Sequence, residues 1–196
     1  MILHNRLGVS SAGEVFDATL EWDDCLVQIA AKFYTANTKS MKWYRSNEND
    51  TRGSHPPLPN PEKEFAFTNE IAAYTHLTNT SMFPQFYGAF QGVGSSGYQT
   101  GLVLVEKLPV TFEEPSGMTE AEKLAAYQNV VEVHNRGVHH EDVWARNFGK
   151  RDDGSVVIYD FSHSALFKEC DIETCDELRW AKRTFLEQEG WESEDV

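Results

Sequence analysis

The chain has 196 residues, 40% hydrophobic and 12% aromatic, enough for one globular domain or two small lobes with a real core. Its formal charge of −14 leaves no basic stripe to displace counterions from nucleic acid or to rest on anionic lipid, so neither nucleic acid nor membrane is an expected partner and any anionic ligand must be held by a few placed cations and backbone N–H groups. Cys25, Cys170 and Cys175 are too unevenly placed for a disulfide framework, no run reaches the length of a membrane span, and "MILHNRLGVSS" lacks a signal peptide's apolar core, so the expected location is intracellular, cytoplasmic or nuclear.

The first third alternates like paired strands. "RLGVSSAGEVFDATLEW" breaks around Ser10 to Gly13 and resumes, and after a short Asp turn "DDCLVQIAAKFYTA" supplies a third strand, which predicts a meander. Residues 37–61, rich in Asn, Ser, Pro and charge without a period, read as a surface insertion between structured flanks. "PEKEFAFTNEIAAYTHL" sets Phe67, Ile71, Tyr74 and Leu77 at helical spacing, with Pro61 at an early helical position and Glu70 beside the apolar stripe. Two more strands, "QFYGAFQGV" and "YQTGLVLVEKL", flank the turn "GSSG". Beyond "EKLP", Thr119 and Glu122 form a capping-box signature ahead of a helix ending at Gly137. The dense polar loop "HHEDVWARNF" follows. Short strands at "NFG" and "SVVIYDF" surround the turn "DDGS", and "ETCDELRWAKRTFLEQEG" makes a last amphipathic helix.

Five separated pieces carry chemistry. "GVSSAGEV", Gly8 to Val15, is a glycine-bearing strand-turn-strand whose backbone can approach phosphates closely and offer them N–H donors. "IAAK" ends on Lys32, a strand lysine that gains meaning from the loop before it. Glu70 lies on the inner edge of its helix with Phe67, Ile71 and Tyr74, which favours it over Glu64. "HEDVWARN" has the form H-x-D-x₄-N, with Asp142 and Asn147, and "VVIYDFS" is a buried strand delivering Asp160, Phe161 and Ser162.

In this order, over about residues 7 to 165, the pieces resemble the protein-kinase-like fold. The resemblance implies an α+β, two-lobed architecture: an N-terminal lobe, 1–105, with a five-stranded antiparallel sheet and one helix; a hinge at 106–109; and a reduced, mainly helical C-terminal lobe, 110–196. It implies ATP and Mg²⁺ as cofactors, with Gly8, Ser10, Gly13 and Val15 over the nucleotide, Glu106 and Leu108 at the hinge, and Lys32, held by Glu70, on the phosphates. It further implies that Asn147 and Asp160 bind the metal, that Asp142 accepts a hydroxyl proton, and that His140 packs beneath the loop. The layout is also similar to small fungal kinase-like proteins, through "EIAAYTHL", "GVHHEDVWARN" and "CDEL".

Several positions depart from the pattern. Glu141 replaces the arginine of H-R-D, Trp144 stands at the position of a catalytic-loop lysine, and Ser162 replaces the glycine of D-F-G; "DVWARN" is close to the tyrosine-kinase form "DLAARN", so Arg146 is the expected replacement cation. Only 36 residues follow Asp160, without an A-P-E element, so protein as acceptor is less expected than ATP binding itself. The acceptor, a protein or small-molecule hydroxyl, is left open. The rival reading is a pseudokinase, a nucleotide-binding or scaffolding module for a protein partner. Cys170 and Cys175 with His163 lack a clear fourth zinc ligand and are read as reduced structural cysteines, and His139 as an ordinary strand or loop residue.

Overall fold

The computed structural model of the chain describes residues 1–9, 13–35, 61–78, 80–93 and 99–187. The fold is α+β, and two compact units divide it: Met1–Tyr74 with Gln85–Lys107, and Thr75–Pro84 with Leu108–Val196. The break after Lys107 falls inside the segment 106–109 assigned to a hinge. Residues 75–84, expected in the first part, belong instead to the second. There the Met82 carbonyl accepts from Ile158 N–H (3.1 Å), the Phe83 carbonyl from Arg151 Nη2 (2.7 Å), and the Phe83 ring meets Phe161 edge-on at 5.7 Å. Among the described residues no helix is long and apolar enough to cross a membrane.

The first unit is built on β1 (Ile2–Val9), β2 (Glu14–Trp22), β3 (Cys25–Thr35), helix α1 (Pro61–His76), β4 (Phe86–Val93) and β5 (Gln99–Glu106). Its five strands form one antiparallel sheet in the order β1-β2-β3-β5-β4. Asp23 and Asp24 turn β2 into β3 with φ of 47° and 60°, the left-handed pair whose twist matches a two-residue hairpin. Alternation along the strands makes two faces. One buries Ala18, Ile29, Ala31 and Leu104 against Leu20, Phe33 and Leu102.

Helix α1 lies on the other face. Its buried positions, Ala66, Phe67, Glu70, Ala73 and Tyr74, follow the three-four spacing of one helical stripe. Phe67 packs beside Tyr34 (5.4 Å) and over Gly101, where a Cβ would come within 2.6 Å of the ring. Tyr74 stacks on Phe86 at 5.3 Å. Burying each such ring contributes about 1.5–3 kcal/mol, which docks the helix and fixes where Glu70 points. Of the insertion read at 37–61, residues 37–60 lie outside the described residues, as does the turn "GSSG" at 94–97, and Pro61 opens α1.

The second unit contains β6 (Val110–Thr111), α2 (Glu120–Asn135), β7 (Val138–His139), β8 (Phe148–Lys150), β9 (Val156–Ile158), β10 (Ala165–Leu166) and α3 (Asp176–Phe185). The strands make two small sheets, β6-β8-β9 and β10-β7. Val130, Val133, Val138, Phe148, Val157, Ile158, Phe161 and Phe185 are wholly buried and form its apolar interior, with Phe148 edge-on to Phe185 at 5.1 Å. Asn129 donates to the Val156 carbonyl (2.9 Å), tying α2 to β9.

The expected capping box opens α2: Thr119 Oγ1 accepts from Glu122 N–H, and Glu122 Oε2 accepts from Thr119 N–H at 2.8 Å. Lys150 on β8 adds an ion pair to Glu122 at 2.6 Å, and these partners, Lys150 first, pull the Glu122 carboxyl from 4.5 down to about 2. A lowered carboxyl stabilises the fold above its unfolded value and loses that contribution as pH falls. Glu122→Gln is therefore expected to cost about 1 kcal/mol at neutral pH. It should also flatten the acid-unfolding profile between pH 4.5 and 2, as followed by circular dichroism.

Candidate functional site

In the first unit, β3 and α1 bring Lys32 and Glu70 together. Their charged ends are 3.0 Å apart, with Lys32 only 5% and Glu70 2% exposed, and the ammonium also lies 5.1 Å from the Tyr34 ring centre. The register pairs Lys32 with Val15 on one side and Val103 on the other, so Val15 shares the ammonium's face of the sheet. Ala30, two residues before Lys32, shares that face too. Glu106 ends β5, where its Oε2 accepts from Gln85 N–H at 3.0 Å.

The two glycines of the predicted phosphate loop differ. A Cβ at Gly13 would run into the Phe33 carbonyl of β3, so packing alone requires glycine there; at Gly8 a Cβ would meet nothing within 4 Å. Ser10 lies outside the described residues.

In the second unit the loop after β7 is held from below. His140 is fully buried; its Nε2–H donates to the Tyr159 carbonyl (2.9 Å) and its Nδ1 accepts from Asp142 N–H (3.3 Å). Those two bonds fix one neutral tautomer. Burial pushes the His140 imidazole down, against the hydrogen bond to Tyr159 and the nearby carboxylates of Glu177, Asp160 and Asp142. The expectation of a packing role for His140 agrees with this geometry.

Asp142 is gripped on both oxygens: Oδ1 pairs with Arg146 at 2.9 Å and Oδ2 accepts from Asn147 Nδ2 at 2.8 Å. Asn147 Nδ2 also donates to the Asp142 carbonyl (2.7 Å), which fixes the amide and leaves its oxygen as the acceptor end. Arg146 lies over the Trp144 ring at 5.5 Å. Asp160 follows β9 in a left-handed conformation, φ 62° and ψ 66°, with Oδ1 accepting from Ser162 Oγ at 2.6 Å. Ser162 thus holds the aspartate's orientation. Tyr159 N–H donates to the Asn147 carbonyl (2.9 Å), joining the two segments. Leu108 packs against β8, where a Cβ on Gly149 would come within 2.6 Å of its Cδ1.

Sequence reasoning missed the braces supplied by α3. Glu177 Oε2 accepts from Glu141 N–H at 2.6 Å, where Glu141 itself has φ of 60°. Trp180 Nε1–H donates to the Val143 carbonyl (3.4 Å) and its ring meets Trp144 at 5.3 Å. Both residues stand in or near the "CDEL" segment, whose position in the chain was the available signal. Beside Asp142 opens a cavity of about 620 Å³, lined among others by Glu141, Trp144, Asp176, Glu177 and Trp180. Its wall carries carboxylates and two indole rings, together with His139, Cys170 and Cys175.

Chemically, the second unit offers a carboxylate fixed on both oxygens and oxygen donors of the kind a hard divalent cation uses. The first offers an ammonium fixed in place. Comparison with known proteins adds no assignment to this chemistry: no family model matches the chain, and no curated protein matches it significantly.

Proposed function

We propose that the chain is an ATP- and Mg²⁺-dependent phosphotransferase of the protein-kinase-like kind, passing the γ-phosphoryl group to a hydroxyl acceptor. The observation that carries the reading is the buried Lys32–Glu70 pair. Burying two charges costs several kcal/mol of desolvation each, and apolar residues of similar size would serve stability as well or better. An ammonium held in one position by a carboxylate makes sense where it must meet phosphate oxygens.

Asp142, Asn147 and Asp160 support the same reading. Asn147 and Asp160 present oxygens of the type Mg²⁺ takes and would hold it; when bound, the ion neutralises charge on the phosphate oxygens. Asp142 takes the acceptor hydroxyl's proton as that oxygen bonds to the γ-phosphorus and the bond to the ADP oxygen breaks. Arg146 keeps the carboxylate aligned. Catalysis of this kind is positioning and charge stabilisation rather than covalent chemistry. The acidic, tryptophan-bearing cavity beside Asp142 favours a cationic acceptor, since carboxylates and indole faces both attract positive charge.

The test is thermal unfolding with ATP, with Mg²⁺, and with both. Saturation at about 100 times Kd contributes about 2.7 kcal/mol, a rise of roughly 5–10 °C for a chain of this size. A rise that needs both ligands, and that Asp160→Ala removes, is the expected result. No rise at millimolar ligand overturns the reading in favour of a scaffold that binds a protein partner.

A further inference from the structure

In the second unit, on the wall of the cavity beside Asp142 and behind it, four soft or borderline donors converge. They are His134 in the last turn of α2, His139 in β7, Cys170 in the segment after β10, and Cys175 at the start of α3. Their ligand atoms all lie within 4.8 Å of one another, and Cys175 Sγ is already 3.7 Å from His139 Nε2. Cys170 and Cys175 are free thiols. The arrangement is set by topology: β10 pairs with β7, placing Ala165 opposite His139, and Phe167 N–H donates to the Gly137 carbonyl, carrying the chain back over the end of α2.

His134 supplies an independent sign that something is bound. It is only 3% exposed, yet among the described residues neither ring nitrogen has a hydrogen-bond partner. Buried polar groups in folded proteins are almost always satisfied, and an imidazole sealed in with both nitrogens bare is incomplete. The Phe167 ring covers the place, 5.0 Å from His134 and 4.2 Å from His139.

The geometry points to a structural Zn²⁺ site with the ligand set His134, His139, Cys170 and Cys175. Two thiolates and two imidazoles are a preferred tetrahedral set for zinc. Bonds of about 2.0–2.3 Å put tetrahedral donors roughly 3.3–3.8 Å apart, so the cluster closes with side-chain movements of about 1 Å. Two thiolates cancel the charge of the ion, and no net charge is buried. Four protein ligands leave no open position, which makes the site a staple rather than a catalyst. The staple joins α2 and β7 to the start of α3, and α3 carries Glu177 and Trp180, the braces of the loop at 141–144. This inference stands on the second unit alone and does not depend on the phosphotransfer reading. It also replaces the reading of Cys170 and Cys175 as reduced structural cysteines and of His139 as an ordinary strand or loop residue; His163 is absent from this cluster.

The test uses the full chain without an affinity tag that binds metal. Protein purified without chelators is expected to contain one zinc per chain by elemental analysis. The metal-free chain, titrated with Co²⁺, should develop a thiolate charge-transfer band and tetrahedral visible bands, which Zn²⁺ abolishes and excess Mg²⁺ leaves unchanged. Cys170→Ser, at a half-exposed position, should retain the far-ultraviolet circular dichroism of the wild type while zinc affinity falls more than about 100-fold. Zinc removal should raise hydrogen exchange at residues 140–147. Failure of the metal-free chain to give the Co²⁺ spectrum, equal zinc affinity in the Cys170 variant, or a Cys170–Cys175 disulfide in the purified protein would overturn the proposal.

Discussion

Lys32→Met is expected to destabilise the chain by about 3–5 kcal/mol, measured by urea unfolding, because it leaves the Glu70 carboxylate buried without its cation. The effect is large for its location: the side chain removed is a polar one, and methionine fills much of the same volume. Glu70→Leu alone should cost a similar amount by stranding the ammonium. The double variant Lys32→Met with Glu70→Leu should recover most of the loss, since neither charge then needs compensation. Such a double-mutant cycle separates the coupling of the pair from the packing of each side chain. It also makes a clean nucleotide test. A simple Lys32→Ala protein confounds lost ligand contact with lost stability, whereas the double variant stays folded and should show no stabilisation by ATP with Mg²⁺. If the single variants cost less than about 1 kcal/mol, the pair is hydrated and the placement of Lys32 needs another explanation.

Much of the first unit was legible because local signals agree. Alternation, the Asp turn and the apolar spacing of α1 all describe one sheet with one helix, and that is what forms. The start of β1 at Ile2 was not legible, since Ile2, Leu3 and Leu7 are exposed and leave no inward pattern to read. Glu70 was chosen over Glu64 for its place on the inner edge of the stripe, and its full burial agrees; Ile71, also given to that stripe, is only half-buried. The capping box at Thr119 is a purely local device and was read correctly.

What stayed hidden depends on chain crossings. Two-residue pairings such as β10 with β7 carry no periodic signal, yet that pairing is what brings His139 toward Cys170 and Cys175. His163 is close to the cysteines in sequence and was weighed with them. His134 is 36 residues from Cys170 and was passed over, because spacing along the chain stands in poorly for distance when a strand pair and a helix end intervene. Glu177 was invisible for the same reason: its partner is a backbone N–H 36 residues earlier.

Asp142→Asn is expected to reduce phosphoryl transfer by about 10²–10⁴-fold, with ATP hydrolysis to water as the readout when no acceptor is supplied. The substitution keeps shape and removes charge, and the surroundings make it worse than neutral. Both oxygens of Asp142 face donors, Arg146 Nη2 on one side and Asn147 Nδ2 on the other. An asparagine has only one acceptor oxygen, so whichever way its amide turns, its NH₂ meets a donor. The loop then loses either the alignment by Arg146 or the bond from Asn147 Nδ2 to the side chain, while the Asp142 carbonyl still holds that amide. The stabilisation by ATP with Mg²⁺ should survive, because Lys32, Glu70 and Asp160 are untouched. That split, rate lost and binding kept, distinguishes a proton-accepting carboxylate from one that merely holds the loop together. Equal hydrolysis rates in the two proteins would remove Asp142 from the chemistry and leave the H-x-D-x₄-N loop as a folding element.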